Sequence, residues 1–323
     1  MCILDRIRLE KGIKYLKEYF ARLADEKRDE AVRLINDDSL NFCSLFVLQP
    51  EIEKNEMMPE LNSRNFNALN IAKLVDKRDY SRFEGLLAGK SQEIYKALKW
   101  ILETGRLDDG LNPEYCQIMD MAAILLLKKY RSKSSLVAVS DMVFIRNRVG
   151  LNIHDLVWAL FESRDPHCLL LIARGFLTGH PGDFSLSERL LSFIPASDKD
   201  RTKSGMERYI FLKNWLSENR MFLYYTGESM QLTGMPMPYA VCLEAKYLHK
   251  PVSADTGKIA VPLSEWEQKL LESFKGIGIS SREILADYSY KLAVRNPDIW
   301  KQWLALPFPV QKKTAEGNMG GLS

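Results

Sequence analysis

Cysteine is scarce in this sequence, and its arrangement excludes the structures that it usually supports. The chain of 323 residues has five cysteines, an odd number, at wide spacings and without a C-x-x-C pair. Disulfide frameworks and zinc sites both need cysteines that are paired or closely spaced. The sequence therefore predicts free thiols in a reducing compartment, with no disulfide framework, no bound metal and no cofactor.

Long apolar runs are also missing. The longest wholly apolar run, Met121 to Leu127, is far shorter than the roughly 20 residues that cross a bilayer. Residues 1–12 carry five charged side chains and have no apolar core of signal-peptide length. These observations predict a soluble, cytoplasmic protein without a membrane partner.

Catalytic motifs are absent or incomplete. No G-x-S-x-G occurs, and Gly85 to Ser91 has three residues between its glycines where a P-loop needs four. His154-Asp155 resembles the metal-binding pair of the HD phosphohydrolase family, but no histidine precedes it to supply that family's upstream ligand. The adjacent carboxylates Asp108 and Asp109 are interpreted as solvated loop acids. An enzyme is therefore not the favoured interpretation.

Helical periodicity is present almost throughout the chain. One stripe of apolar residues near the N-terminus shares a helix face: Ile13, Leu16, Phe20 and Leu23. Ser204 with Glu207 and Ser264 with Glu267 have the spacing of capping boxes, which begin helices. We therefore predict an all-α fold, an irregular multi-helix array of antiparallel helix pairs.

A short repeat suggests how such helix pairs are arranged. Gly110-Leu111-Asn112 and Gly150-Leu151-Asn152 lie 40 residues apart, and each precedes a predicted helix. This spacing falls in the range of HEAT and armadillo repeats, but the triplet does not recur near residue 190. Degenerate HEAT-like repeats and an irregular helical bundle are both compatible with this pattern.

Polar stretches predict the domain boundaries. The segment from Pro195 to Ser204 is rich in charge, so we place a boundary near 197. This division predicts an N-terminal helical region at 1–197 and a C-terminal helical region at 198–311. Residues 312–323 have three glycines and little apolar content, which predicts a flexible tail.

One segment, Arg220 to Lys250, departs from the helical pattern. It combines methionines, tyrosines, glycines and prolines where a helical protein usually has a short polar connection. A long apolar loop must be buried or covered by a partner. The predicted docking residues are Tyr224, Tyr225, Glu228, Met230, Met235, Met237 and Tyr239.

This segment leads to the favoured functional hypothesis, a non-enzymatic interaction or assembly module that binds another protein. Methionine and tyrosine suit adaptable interfaces, whereas packing of the segment into its own core is the opposing interpretation. A further alternative is an enzyme with a pocket under residues 221–239, using Glu228 and His249 as acid or base.

A basic strip supports another alternative, nucleic-acid binding. Between Lys128 and Arg148, six basic residues and one acidic residue give a local net charge of +5. The candidate phosphate contacts are Lys128, Lys129, Arg131, Lys133, Arg146 and Arg148. Cations at solvated helix ends are the opposing interpretation.

Overall fold

The computed structural model confirms the all-α fold. It describes residues 1–79, 84–85, 91–194, 204–228 and 236–318. Within these ranges the regular structure consists of seventeen α-helices, a few short 3₁₀ or π segments, and one two-stranded sheet. None of the described helices is both long and apolar enough to cross a membrane. The chain divides into two compact units, Met1–Ser163 and Arg164–Ser323.

Unit 1 is a helical array around an aromatic core. Its helices are α1 (Ile3–Glu26), α2 (Arg28–Ile35), α3 (Phe42–Val47), α4 (Gln49–Lys54), α5 (Ser63–Asp76), α6 (Ser91–Gly105), α7 (Pro113–Ile124), α8 (Leu136–Arg148) and α9 (His154–Glu162). Helix α7 packs against α5, α6 and α9. Its Tyr115 is fully buried and stacks on Phe42 of α3 with ring centroids 5.8 Å apart. Packing around α7 therefore joins the early and late helices of this unit.

The two Gly-Leu-Asn triplets occupy similar turns in unit 1. One links α6 to α7 and the other links α8 to α9, and both glycines have positive φ, at 92° and 73°. Glycine has no Cβ that would oppose this backbone conformation. Asn112 accepts a hydrogen bond from the Tyr115 N–H at 2.6 Å, and Asn152 accepts one from the His154 N–H at 3.0 Å. The triplet is thus a helix-to-helix turn in both places, while the HEAT-like repeat stays a prediction.

Unit 2 combines helices with a small sheet. Its elements are α10 (His167–Ala173), α11 (Pro181–Leu190), α12 (Gly205–Asn219), β1 (Leu223–Tyr225), β2 (Tyr239–Val241), α13 (Leu243–Tyr247), α14 (Glu265–Lys275), α15 (Ile279–Arg295), α16 (Pro297–Leu304) and α17 (Phe308–Asn318). The predicted capping boxes at Ser204 and Ser264 are both present. Tyr247 stacks on Phe274 with centroids 4.3 Å apart in the core of α13 to α17.

The units differ from the domains predicted from polar stretches. The division lies between Ser163 and Arg164, and the predicted boundary at 197 falls within unit 2. Helices α10 and α11 precede the polar stretch, and each packs with elements that also contact α12, which follows it. The stretch therefore joins helices of one unit, because a polar connection does not by itself interrupt a shared core.

The predicted tail is helical over much of its length. Helix α17 continues to Asn318, so residues 312–318 are helical and the prediction of a flexible tail is wrong for them. The helix is held by buried Gln311, which accepts a hydrogen bond from Tyr247 Oη at 2.7 Å, and by buried Ala315. Two inward-facing residues are enough to dock one short helix. The low apolar content of this stretch therefore did not predict that it packs against the core.

Candidate interaction surfaces

The segment that departs from the helical pattern forms the stem of a β-hairpin. Strands β1 and β2 pair antiparallel, with Tyr225 opposite Tyr239. Beyond the strands, the Thr226 N–H donates to the Pro238 carbonyl oxygen at 3.0 Å. Aromatic residues fit a pleated, half-buried surface, which explains a ribbon where we expected an irregular loop. The predicted docking residues Met230 and Met235 lie outside the described residues.

The side chains of the hairpin point in different directions. Tyr239 is only 2% exposed, and its Oη lies 3.7 Å from the buried Cys168 Sγ. Burial raises the pKa of Cys168 to about 12, so this thiol is an unreactive part of the core. Met237 is 45% exposed. Tyr239 is therefore corrected from a docking residue to a core residue, whereas Met237 is available to a partner.

Tyr224 and Tyr225 are half-buried and held by neighbouring segments. The Tyr224 ring covers Gly257, where an added Cβ would lie 2.8 Å from the ring. The Arg164 guanidinium lies over the Tyr225 ring at 5.5 Å and also forms an ion pair with Asp255. Each tyrosine therefore has one face occupied within unit 2 and part of its surface in solvent.

The two residues proposed as an acid–base pair have structural contacts. The Glu228 carboxylate accepts a hydrogen bond at 2.9 Å from the backbone N–H of Met237, on the opposite side of the hairpin. The His249 ring packs among Phe222, Tyr290 and Trp300, with ring centroids 5.8 to 6.3 Å away. Burial lowers the pKa of His249, which favours its neutral form. These contacts favour roles in the fold for both residues.

Arg146 of the basic strip is buried in an ion network. Its side chain is 3% exposed and binds Asp109 through two hydrogen bonds, from Nε at 2.6 Å and from Nη2 at 2.8 Å. Its Nη1 also lies 2.6 Å from Asp120 Oδ1. Arg146 is therefore corrected from a phosphate contact to a structural cation. The interpretation of Asp109 as a solvated loop acid is wrong for the same reason.

The other five basic residues of the strip are exposed, and two of them contact Glu162. Lys128 forms an ion pair with the Glu162 side chain, and Arg131 donates to the Glu162 carbonyl oxygen. These contacts neutralise part of the strip, which weakens the case for a phosphate-binding track. Three further members of the predicted strip are exposed: Lys129, Lys133 and Arg148. Nucleic-acid binding thus stays an untested alternative.

The ion network predicts a measurable pH dependence of stability. Burial, the largest effect, raises the pKa of Asp120 to about 6 against the opposing influence of Arg146. Between about pH 4 and pH 6 the folded chain therefore binds more protons at this site than the unfolded chain, and the site's contribution to stability falls as pH rises. Asp120→Asn removes this dependence. In chemical denaturation, the free energy of unfolding of the variant should rise by up to about 3 kcal/mol relative to that of the native chain between pH 4 and pH 7.

The control for this comparison is Asp25→Asn, which changes an exposed carboxylate of α1 that does not contact the ion network. Its unfolding free energy should run nearly parallel to that of the native chain over the same pH interval. Parallel curves for Asp120→Asn as well would mean that Asp120 ionises normally in the folded chain.

A group of exposed apolar side chains in unit 1 was not predicted from the sequence. We call it the Gly-Leu-Asn surface, and its members are Leu107, Leu111, Ile145, Val149 and Leu151. A Cβ on Gly110 would lie 3.7 Å from Leu151 Cδ1, which places the two turns side by side. An ion pair between Arg106 and Asp141, 3.1 Å long, holds the 3₁₀ turn Arg106–Asp108, which contains Leu107, against α8. The repeated triplets mark the two turns of this surface in the sequence, but they do not indicate that the apolar side chains around them are exposed.

Two pairs of oppositely charged residues fix the turn from inside. Arg8 of α1 binds both carboxylate oxygens of Asp108, at 2.8 and 3.0 Å. Arg146 of α8 binds both oxygens of Asp109, so consecutive residues are each held by a planar guanidinium. Leu107, immediately before them, is 85% exposed. The backbone that presents Leu107 is thus anchored to two helices that are distant in sequence.

Comparison with known proteins adds no assignment. No protein-family model, curated protein or solved structure matches this chain. Within the part of the chain that the structure describes, no group of three or more histidine, cysteine, aspartate or glutamate side chains is arranged to hold a metal ion. Functional inference therefore depends on the geometry of the surfaces.

Proposed function

We propose that this chain is a non-enzymatic interaction module that binds a partner protein through the Gly-Leu-Asn surface. The observation that carries the proposal is the exposure of Leu107 at 85% and Val149 at 67% on anchored turns. Apolar side chains that are exposed together favour a protein interface, because burial against a partner removes their surface from water.

The anchoring of the turn strengthens this proposal. A flexible loop loses conformational entropy when it binds, whereas a turn that is already held does not. The pairs Arg8–Asp108 and Arg146–Asp109 supply this rigidity from the interior. The surface therefore resembles a preformed interface, with apolar side chains outside and charged anchors inside.

A site-specific cross-link tests the proposed function. A photoreactive benzoylphenylalanine at Leu107 or Val149, in the native host, should form a covalent adduct with one protein that mass spectrometry identifies. The matched control places the same group at Leu177, an exposed leucine of unit 2. With the purified partner, the double substitution Leu107→Ser and Val149→Ser should weaken binding at least about tenfold, roughly 1.4 kcal/mol.

Two outcomes would count against the proposal. The first is an equal yield of the same adduct at Leu177, which would indicate non-specific collision. The second is unchanged affinity of the double variant for the purified partner. Both substituted side chains are exposed, so the variant should keep the stability of the native chain to within about 0.5 kcal/mol.

The β-hairpin is a second proposed docking surface for the same function. Met221 and Met237 are exposed at its two ends, and Tyr225 is partly exposed beside Arg164. Methionine is flexible and polarizable, which suits a surface that adapts to a partner. Compared with the Gly-Leu-Asn surface, its apolar side chains are less exposed, so it ranks second.

A further inference from the structure

A cleft in unit 1 adjoins the Gly-Leu-Asn surface. It has a volume of about 520 Å³ and is lined by α1, α3, α4, α5 and the start of α7, together with Leu111, which belongs to both features. We call it the charged cleft. Its volume lies within the roughly 300–1,000 Å³ typical of ligand sites. Leu111 makes the cleft and the surface continuous.

The walls of the charged cleft come from residues one helical turn apart. Ile13 and Lys17 lie on α1, and Gln49 and Glu53 lie on α4. Lys73 lies in the last turn of α5, and Lys77 directly follows that helix. Residues four positions apart share one helix face, so each helix turns a single face toward the cleft. Most of the lining is therefore set by regular helices, and the turn before α7 adds Leu111 and Asn112.

The floor of the cleft is apolar and well supported. Val47 and Ala72 are buried, and Phe46 is half-buried. The Phe46 ring meets Tyr115 edge-on with centroids 5.4 Å apart, which fixes its orientation. An apolar ligand group placed here would contact a preformed surface.

The rim carries charges of both signs. Lys73 forms an ion pair with Glu53 at 3.3 Å, and Gln49 also donates to Glu53 at 3.0 Å. Among the described residues, the other four charged side chains of the rim form no ion pair or side-chain hydrogen bond with one another or with other groups: Lys17, Asp76, Lys77 and Glu114. Two cations and two anions are thus available to a ligand.

This charge pattern limits the class of ligand. A polyanion such as a nucleic acid would be repelled by Asp76 and Glu114, and a polyamine would be repelled by Lys17 and Lys77. A peptide can present an acidic, an apolar and a basic side chain within a few residues. Continuity with the Gly-Leu-Asn surface places such a peptide where we propose that a partner protein docks.

We propose that the charged cleft binds a segment of the partner protein in which an apolar side chain is flanked by one acidic and one basic residue. This inference rests on the proposed function and specifies the chemistry of the partner. The acidic residue pairs with Lys17 and Lys77, the basic residue pairs with Asp76 and Glu114, and the apolar side chain lies on Phe46 and Leu111.

A peptide titration with the full chain tests the inference. The probe is a fluorescein-labelled, end-blocked peptide with the sequence glutamate-glycine-leucine-glycine-lysine, and the measurement is fluorescence anisotropy. Lys17→Glu with Lys77→Glu should weaken binding at least about tenfold, because both cations that meet the glutamate change sign. A second peptide with lysine in place of glutamate should bind this variant more tightly than it binds the native chain.

A matched variant separates specific recognition from overall charge. Lys14→Glu with Lys54→Glu makes the same change in net charge at exposed positions of α1 and α4 outside the cleft. It should weaken peptide binding much less than the cleft variant does, because neither side chain lines the cleft and an exposed charge without direct contact acts only weakly through solvent. Equal loss in both double variants would overturn the proposal. Equal binding of a peptide with glutamine in place of both charged residues would also overturn it.

The two proposals fail in different ways. If the Leu107 adduct forms but the peptide shows no dependence on Lys17 and Lys77, the interaction module stands and the cleft is not its peptide site. If the peptide binds as expected but Leu107 and Val149 give no specific adduct, the cleft is a peptide site and the docking role of the Gly-Leu-Asn surface is wrong.

Discussion

Replacing Arg146 with methionine is expected to lower the free energy of unfolding by about 3–5 kcal/mol, the cost of leaving buried carboxylates without their cation. Arg146 is 3% exposed and is the shared partner of Asp109 and Asp120. Methionine keeps an unbranched side chain as far as the position of Nε but supplies neither positive charge nor hydrogen-bond donors. Urea unfolding followed by circular dichroism measures the loss.

Arg148→Met is the matched control, because Arg148 lies two residues away at the exposed end of the same helix. It should cost less than about 0.5 kcal/mol. Adding Asp109→Asn to Arg146→Met should recover part of the lost stability, since one uncompensated charge is then removed. If Arg146→Met costs no more than Arg148→Met, the ion network does not stabilise the fold.

The same substitution connects stability to the proposed function. Arg146 holds Asp109, which lies two residues from Leu107, so its loss frees one side of the turn. The weaker anchoring should reduce partner affinity even at temperatures where the variant remains folded. Arg8→Met removes the other anchor, at Asp108, and should act in the same direction.

Replacing Tyr239 with serine is expected to destabilise unit 2 by about 3–5 kcal/mol, the usual cost of truncating a large buried aromatic side chain. Tyr239 is 2% exposed, faces Cys168 and pairs with Tyr225 across the sheet. We expect differential scanning calorimetry of the full chain to show a lower midpoint temperature of unfolding.

Met237→Ser is the matched control for Tyr239→Ser, two residues earlier in the chain. Its side chain is 45% exposed, so the expected cost is below about 0.5 kcal/mol. A loss of partner binding in Met237→Ser with unchanged stability would support the hairpin as a docking surface. Equal stability of the two variants would show that Tyr239 does not belong to the core.

Tyr239 and Met237 have different environments and should be substituted separately. A combined substitution of its tyrosines and methionines would mix unfolding with loss of binding, because Tyr239 supports the core while Met237 faces solvent. The sequence places both in one cluster of apolar residues. Separating them requires the register of β1 and β2, in which Tyr239 lies opposite Tyr225.

Local sequence patterns predicted the helical fold well. The capping boxes at Ser204 and Ser264 begin helices as expected, and the Gly-Leu-Asn triplets form helix-to-helix turns. These features depend on contacts within a few residues, such as the reciprocal hydrogen bonds of a capping box. The hairpin was missed because its two strands are separated by residues 226–238 and pair only across that distance.

The candidate sites were predicted less well because their chemistry depends on distant partners. Charge alone suggested Arg146 as a phosphate contact, yet its carboxylate Asp109 is 37 residues away. The exposure of Leu107 had no signal in the sequence, because it depends on the paired acids beside it, which turn inward toward Arg8 and Arg146 and leave the leucine in solvent. A residue type indicates which contacts are possible, but only the fold decides which partner is close enough.

The sequence by itself determined that this protein is helical and where most helices begin, because periodicity and capping act over one turn or less. The tertiary structure alone decided which charges are buried and which apolar side chains face solvent. It placed Arg8 on Asp108 and Arg146 on Asp109, left Leu107 and Val149 exposed, and brought Leu111 to the charged cleft. Those choices follow from contacts between helices far apart in the chain, which no local pattern records.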